Sequence, residues 1–133
     1  MEEQLDTMRP AVDWNEAPHA VAIKQLRSHR DEVRIRVWGG DWCKDCKAVL
    51  PPFAAALEAA GIDPATVDHY PVEKEADGSK IGPLVEEYDI TLIPTIVVEI
   101  AGDEVARFVE SGELAPIDMI AAALASRERQ AEA

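Results

Sequence analysis

Two cysteines stand three positions apart in Trp42-Cys43-Lys44-Asp45-Cys46-Lys47, and the 133-residue chain has no others. A Cys-x-x-Cys pair in the first turn of a helix can close a small disulfide ring. The unpaired amides and the dipole at the helix start favour the first sulfur as thiolate. The pair is therefore a candidate two-electron switch. Other readings stand beside it. A metal site needs about four ligands, and beyond the two sulfurs the chain offers only His19, His29 and His69, none in a paired spacing. An inert thiol pair or a permanent local disulfide would need no further residues at all.

The elements that must position this pair are well marked. Val33, Ile35, Val37 and Trp38 read as a strand ended by Gly39-Gly40. Behind the cysteines, Val49, Leu50, Phe53, Leu57 and Ala60 recur at helical spacing, with Gly61 as the stop before Asp63-Pro64. Pro51-Pro52 removes two backbone donors from that helix and predicts a kink. Upstream, Ala22, Ile23 and Leu26 predict a helix over about residues 18–31, preceded by an arm or edge strand in residues 1–16. Downstream come a strand from Val67 to Val72 and the Asp77-Gly78 turn. Ile81, Leu84, Val85 and Tyr88 then predict a third helix. Two β-branched runs, Thr95 to Ile100 and Val105 to Val109, are joined by Ala101-Gly102-Asp103-Glu104 as a hairpin. A last helix carries Leu114, Ile117, Ile120, Ala121 and Leu124, and the charged tail from Arg127 is expected to fray. Parallel and antiparallel neighbours in this order require an α/β protein with a mixed sheet and helices on both faces. One domain is expected over residues 17–127, with 128–133 as its charged tail.

Strand, Gly-Gly, Trp-Cys-x-x-Cys-Lys, a helix with proline five residues after the second cysteine, then Tyr88-x-Ile90-x-x-Ile93-Pro94-Thr95 before a hairpin: from about residue 18 to 126 this chain resembles the thioredoxin family. The resemblance implies a thioredoxin-like three-layer sandwich around a central mixed sheet. It implies that Cys43, facing solvent, attacks a substrate disulfide, and that the more buried Cys46 resolves the mixed disulfide. It also implies a cis Ile93-Pro94 loop packed against the cysteines, with the Ile93 backbone bonding an extended substrate segment. Trp42 would shield the disulfide and offer a flat contact. Gly112, or Ser111 if the hairpin carries one extra residue, would complete the groove. Without the resemblance, Pro94 would be just a strand-entry proline and Trp42 a loop aromatic filling space. Lys44 and Asp45 replace the Gly-Pro common in thioredoxin. Lys44 favours a thiolate at Cys43 and Asp45 opposes it, or both merely solvate an exposed first turn.

Two departures from the family stand out. Six positions before Cys43, where thioredoxin carries a buried aspartate thought to move the resolving cysteine's proton, this chain has Val37. Water, or a carboxylate such as Glu73 or Glu75, must then take the proton. Arg34 and Arg36 lie in what should be the central strand. A buried guanidinium costs several kcal/mol unless paired, so acids such as Glu99 are expected to reach them; a role for Arg36 near the active site is the alternative.

Twenty-six acids against thirteen bases give a net charge of −13, which argues against nucleic acid, since each phosphate contact needs a Lys or Arg. The polar N-terminus and the lack of a long apolar run predict a soluble, unexported protein that binds no membrane. Two local cysteines fit a reducing, cytoplasmic setting. The acidic excess with few lysines resembles proteins of halophilic organisms that keep molar salt inside, or is simply a solubilising surface. The expected activity is protein-disulfide reduction by a monomer with no cofactor beyond the Cys43–Cys46 pair. Its expected partners are protein disulfide substrates and an upstream thioredoxin-reductase-like donor. The alternatives are a specialised reductant of a peroxidase and a redox-inactive thioredoxin-fold binding module.

Overall fold

The strand that leads into the cysteines runs through the middle of the molecule. β1 (Val33–Gly39) pairs in parallel with β2 (Val67–Pro71) and antiparallel with β5 (Thr95–Ile100), and β5 pairs antiparallel with β6 (Asp103–Val109). The sheet order is β2-β1-β5-β6. The computed structural model describes residues 5–110 and 114–132. Its architecture is the expected α/β arrangement, a mixed sheet with helical structure on both faces.

Alternation along β1 decides what each face carries. Val33, Ile35 and Val37 are buried on one face, and Gly39 continues that face to Leu50 and Cys46 of α2 (Lys44–Ala59). Arg34, Arg36 and Trp38 point the other way. There the segment from Pro83 to Tyr88 covers the sheet: Trp38 Nε1 donates to the Pro83 carbonyl at 2.8 Å, and its ring lies 5.0 Å from that of Tyr88. α1 (Ala20–Arg27) buries Ala22, Ile23 and Leu26, and lies alongside α3 (Pro116–Glu132). α1 is shorter than the periodicity predicts because a 3-10 turn at Ala17–His19 precedes it and turns follow Arg27. α3 is longer: it stays helical to Glu132, past the expected fraying point. Glu128 receives hydrogen bonds from Gln25 at 2.9 Å and His29 at 2.6 Å.

The predicted third helix is not a regular helix. Gly82 passes so close to β2 that a Cβ there would lie 2.8 Å from the Pro71 carbonyl, and Leu84 then takes φ 59°. Only one helical turn follows, closed by Tyr88 N to Leu84 O and by Ile90 N to Val85 O, with Asp89 at φ 55°. The apolar stripe is real, but one left-handed residue at its start confines it to one turn. Ahead of it, β3 (Glu73–Lys74) and β4 (Lys80–Ile81) form a small hairpin that sequence periodicity did not reveal. The N-terminal segment forms no strand among its described residues; a 3-10 turn at Asp6–Met8 crosses α2 instead.

The arginines of β1 are paired diagonally across the sheet. Arg36 Nε donates to Glu99 at 2.7 Å, and its NH1 to the Tyr70 hydroxyl. Arg34 holds Asp68 at 2.6 Å, and Tyr88 donates its hydroxyl proton to the other Glu99 oxygen at 2.7 Å. Glu99 therefore does what the sequence required of it, and Arg36 belongs to this network and not to the cysteine site. Among the described residues no buried side-chain nitrogen or oxygen lacks a hydrogen-bond partner, as a polar cluster inside a sheet requires.

Candidate active site

Two glycines turn the chain from β1 into the cysteine segment, each because a neighbour occupies the space of its missing side chain. A Cβ on Gly39 would lie 3.0 Å from Leu50 Cδ1 and 3.5 Å from Cys46 Sγ; one on Gly40 would lie 2.5 Å from Trp42 Nε1. The turn closes with Cys43 N donating to the Gly40 carbonyl at 3.0 Å. Cys43 then takes extended backbone angles at the N-cap of α2, and its sulfur accepts from the Cys46 amide at 3.5 Å. A sulfur thus occupies the capping position usually given to a serine or aspartate oxygen.

The two sulfurs meet different surroundings. Both are free thiols. Cys43 Sγ faces the Ile93 carbonyl at 3.9 Å, and Ile93-Pro94 is a cis peptide bond, so the predicted loop does lie against the first cysteine. Cys43 is not open to solvent in the way the resemblance implies, being only 9 % exposed; the exposed groups around it are Trp42 at 50 % and Leu92 at 44 %. Cys46 is fully buried, and its sulfur accepts from the Gly40 amide at 3.5 Å. Burial pushes the Cys46 thiol up to about 12, with the neighbouring Cys43 and the Asp45 charge adding to the rise and the Gly40 amide opposing it. Val37 is likewise fully buried, and neither Glu73 nor Glu75 takes up the missing acid's place: both are exposed at the β3–β4 hairpin.

Of the other predicted residues, Trp42 is fixed by its indole N–H donating to the Val72 carbonyl at 2.9 Å. Lys44 and Asp45 are exposed on the first turn of α2. Gly112 and its alternative Ser111 lie outside the described residues; just before them, Glu110 N donates to the Pro94 carbonyl at 2.6 Å. Sequence reasoning missed Asp41. Its carboxylate accepts from the amides of Asp6 and Thr7 at 3.1 and 2.9 Å and from the Thr7 hydroxyl at 3.0 Å. Burial acts to raise the Asp41 carboxyl, but these bonds and Lys47 outweigh it and hold the group below its usual range. No sequence signal marked it, because two of its three donors are backbone amides of a segment more than thirty residues away.

The histidines are dispersed: His19 meets Asp118, His29 meets Glu32 and Glu128, and His69 Nδ1 accepts from the Leu5 amide at 3.0 Å. Among the described residues no group of three or more His, Cys, Asp or Glu side chains could hold a metal ion. No described helix is long and apolar enough to cross a membrane.

No protein-family model matches the chain, and no curated protein matches it in sequence. Solved structures do. A Pseudomonas aeruginosa protein of unknown function, 20% identical, superposes with TM-score 0.52 over 85% of this chain and 75% of its own. Thioredoxin O2 from Arabidopsis thaliana, in its oxidized state, is 17% identical and gives TM-score 0.42 over 96% of this chain and 97% of its own. The first likeness speaks for the fold alone, and the second superposition is too loose to add to it.

Proposed function

We propose that this chain is a thioredoxin-like thiol-disulfide oxidoreductase that reduces protein disulfides through Cys43 and Cys46. The observation that carries the reading is the asymmetry of the pair: one sulfur at a helix N-cap facing the Ile93 carbonyl, the other sealed one turn behind it. Cys43 as thiolate attacks one sulfur of a substrate disulfide, forming a mixed disulfide and releasing the other substrate sulfur, which takes up a proton. Cys46 then loses its proton and attacks Cys43 Sγ. The Cys43–Cys46 bond forms, the substrate leaves as a dithiol, and two electrons have passed from protein to substrate. An extended substrate strand would run along Ile93 and Pro94, beside the exposed faces of Trp42 and Leu92. A thioredoxin-reductase-like donor would restore the dithiol, with the monomer working in the cytoplasm.

A redox-inactive binding module is the second reading, and the low exposure of Cys43 is what favours it. One experiment separates them. A Cys46→Ser variant, exposed to lysate under mild oxidation, should accumulate covalent protein adducts that dithiothreitol releases and that a Cys43→Ser variant does not form. Adducts absent from both variants, together with no reduction of insulin by the parent chain, would remove the reductase reading and leave the module.

A further inference from the structure

The N-terminal arm is built onto the cysteine site from behind. Leu5 is 3 % exposed, and its Cδ1 lies 3.3 Å from the point where a Gly39 Cβ would sit, a point 3.5 Å from Cys46 Sγ. A leucine, a glycine and the second sulfur thus share one small volume, closed on its far side by Leu50. The arm is tethered at three places. The Leu5 amide donates to His69 Nδ1, the Asp41 carboxylate takes the amides of Asp6 and Thr7 and the Thr7 hydroxyl, and the Ala11 amide donates to the Pro51 carbonyl at 3.1 Å. Thr7 is itself buried. Three donors of this segment thus converge on one carboxylate two residues from Cys43, which fixes its position there.

We propose that residues 5–7 form a lid over the second cysteine, and that Asp41 is the positioning residue that holds this lid shut, so that water reaches Cys46 Sγ only when the arm lifts. The proposal rests on reading Cys46 as the resolving thiol. In that role its proton leaves for water: position 37 holds a buried valine, and Glu73 and Glu75 are exposed at the β3–β4 hairpin. Opening and closing of the arm would then set how fast the mixed disulfide resolves. The titratable groups around Cys46 are Cys43 and Asp45 on its own helix, Asp41 in the loop before it, with Lys47 beside that carboxylate, and His69 on β2 at the root of the arm.

The test needs no substrate, so it stands or falls separately from the reductase assay. In a Cys43→Ser chain Cys46 is the sole thiol, and its alkylation by iodoacetamide can be followed against pH. Asp41→Ala and Leu5→Ala should each speed alkylation at pH 8 about tenfold and move the midpoint of the profile down by about one pH unit, since thiolate fraction changes tenfold per unit. Asp41→Asn, which keeps an acceptor oxygen but not the charge, should move it less. A fold merely loosened by mutation would give a rate that climbs steeply with urea, because alkylation would then pass through the unfolded chain, whereas lifting of the arm alone leaves the rate nearly independent of urea. Profiles of Asp41→Ala and Leu5→Ala that overlay the parent overturn the proposal. So does a shift with Asp41→Asn equal to that of Asp41→Ala while Leu5→Ala is silent, because the charge and not the lid would then be acting. Should Asp41→Ala not fold, Leu5→Ala carries the test.

Discussion

The two faces of β1 solve burial in opposite ways within one strand. Val33, Ile35 and Val37 meet Ile96, Val98 and Ile100 of β5 on a dry face. One residue out of phase, Arg34 and Arg36 meet Asp68, Tyr70, Tyr88 and Glu99 on a face that is charged and only partly covered, with half of the Arg34 side chain and a fifth of the Arg36 side chain exposed. Charge is tolerated on the second face because neighbouring strands and the turn segment bring acceptors to both guanidinium groups, in the diagonal positions that cross-strand geometry allows. No such partner exists on the first. The cysteines sit at the end of the dry face, and burial there is what pushes the Cys46 thiol up, with the neighbouring Cys43 and the Asp45 charge adding to the rise.

Putting a carboxylate on the wrong face is the strongest way to break that contrast. Val37→Asp would bury an acid among aliphatic groups and should cost about 3–5 kcal/mol at pH 8. Its carboxyl would be raised above the unfolded value of about 3.9, so stability is fully present below that pH and lost as pH rises through the folded value. Urea melts at pH 4 and pH 8 should therefore diverge from the parent more at pH 8. Equal stability of the variant and the parent at pH 8 would mean that the face is wetter than described. Next in size, Arg36→Met strands Glu99 beside Tyr88. Arg36 keeps a fifth of its side chain exposed, so the loss should be about 2–3 kcal/mol, below the fully buried range. Arg36→Met combined with Glu99→Gln should recover much of it in a double-mutant cycle. Strictly additive losses would show that the pair is not coupled.

The same contrast explains what could be read from sequence. Hydrophobic periodicity marks dry faces, so β1, β5, β6 and the helix behind the cysteines were legible, as was the Ala101-Gly102 turn, whose two residues both take positive φ. Arg34 and Arg36 broke the pattern and so announced a network; Glu99 could be named for it, whereas Asp68, Tyr70 and Tyr88 could not, because their convergence depends on strand register. The one-turn ending of the expected third helix turns on close backbone passage at Gly82, which has no side-chain signature. At the site, local spacing gave Cys43 and Cys46, and the resemblance to the thioredoxin family supplied Trp42 and the Ile93-Pro94 loop. Asp41 and Leu5 were hidden because their contacts join positions more than thirty residues apart through backbone amides, and any residue type can supply an amide.

The smallest expected effect tests whether the dry face reaches the sulfur. Because the Cys46 thiol is held up to about 12 in the fold, while an unfolded cysteine ionises near 8.5, the protonated sulfur contributes stability that is complete below about pH 8.5 and declines as pH rises toward the folded value. Ionisation of the unfolded chain pulls the equilibrium, and the native sulfur cannot follow. Reduced parent protein should lose stability between pH 8 and 10 more steeply than a Cys46→Ala variant, the difference approaching but never exceeding tenfold in the folding constant per pH unit. Urea midpoints at half-unit intervals of pH would show it. Parallel slopes would mean that Cys46 ionises in the folded chain as readily as in the unfolded one, and that the face which excludes carboxylates does not extend to the site.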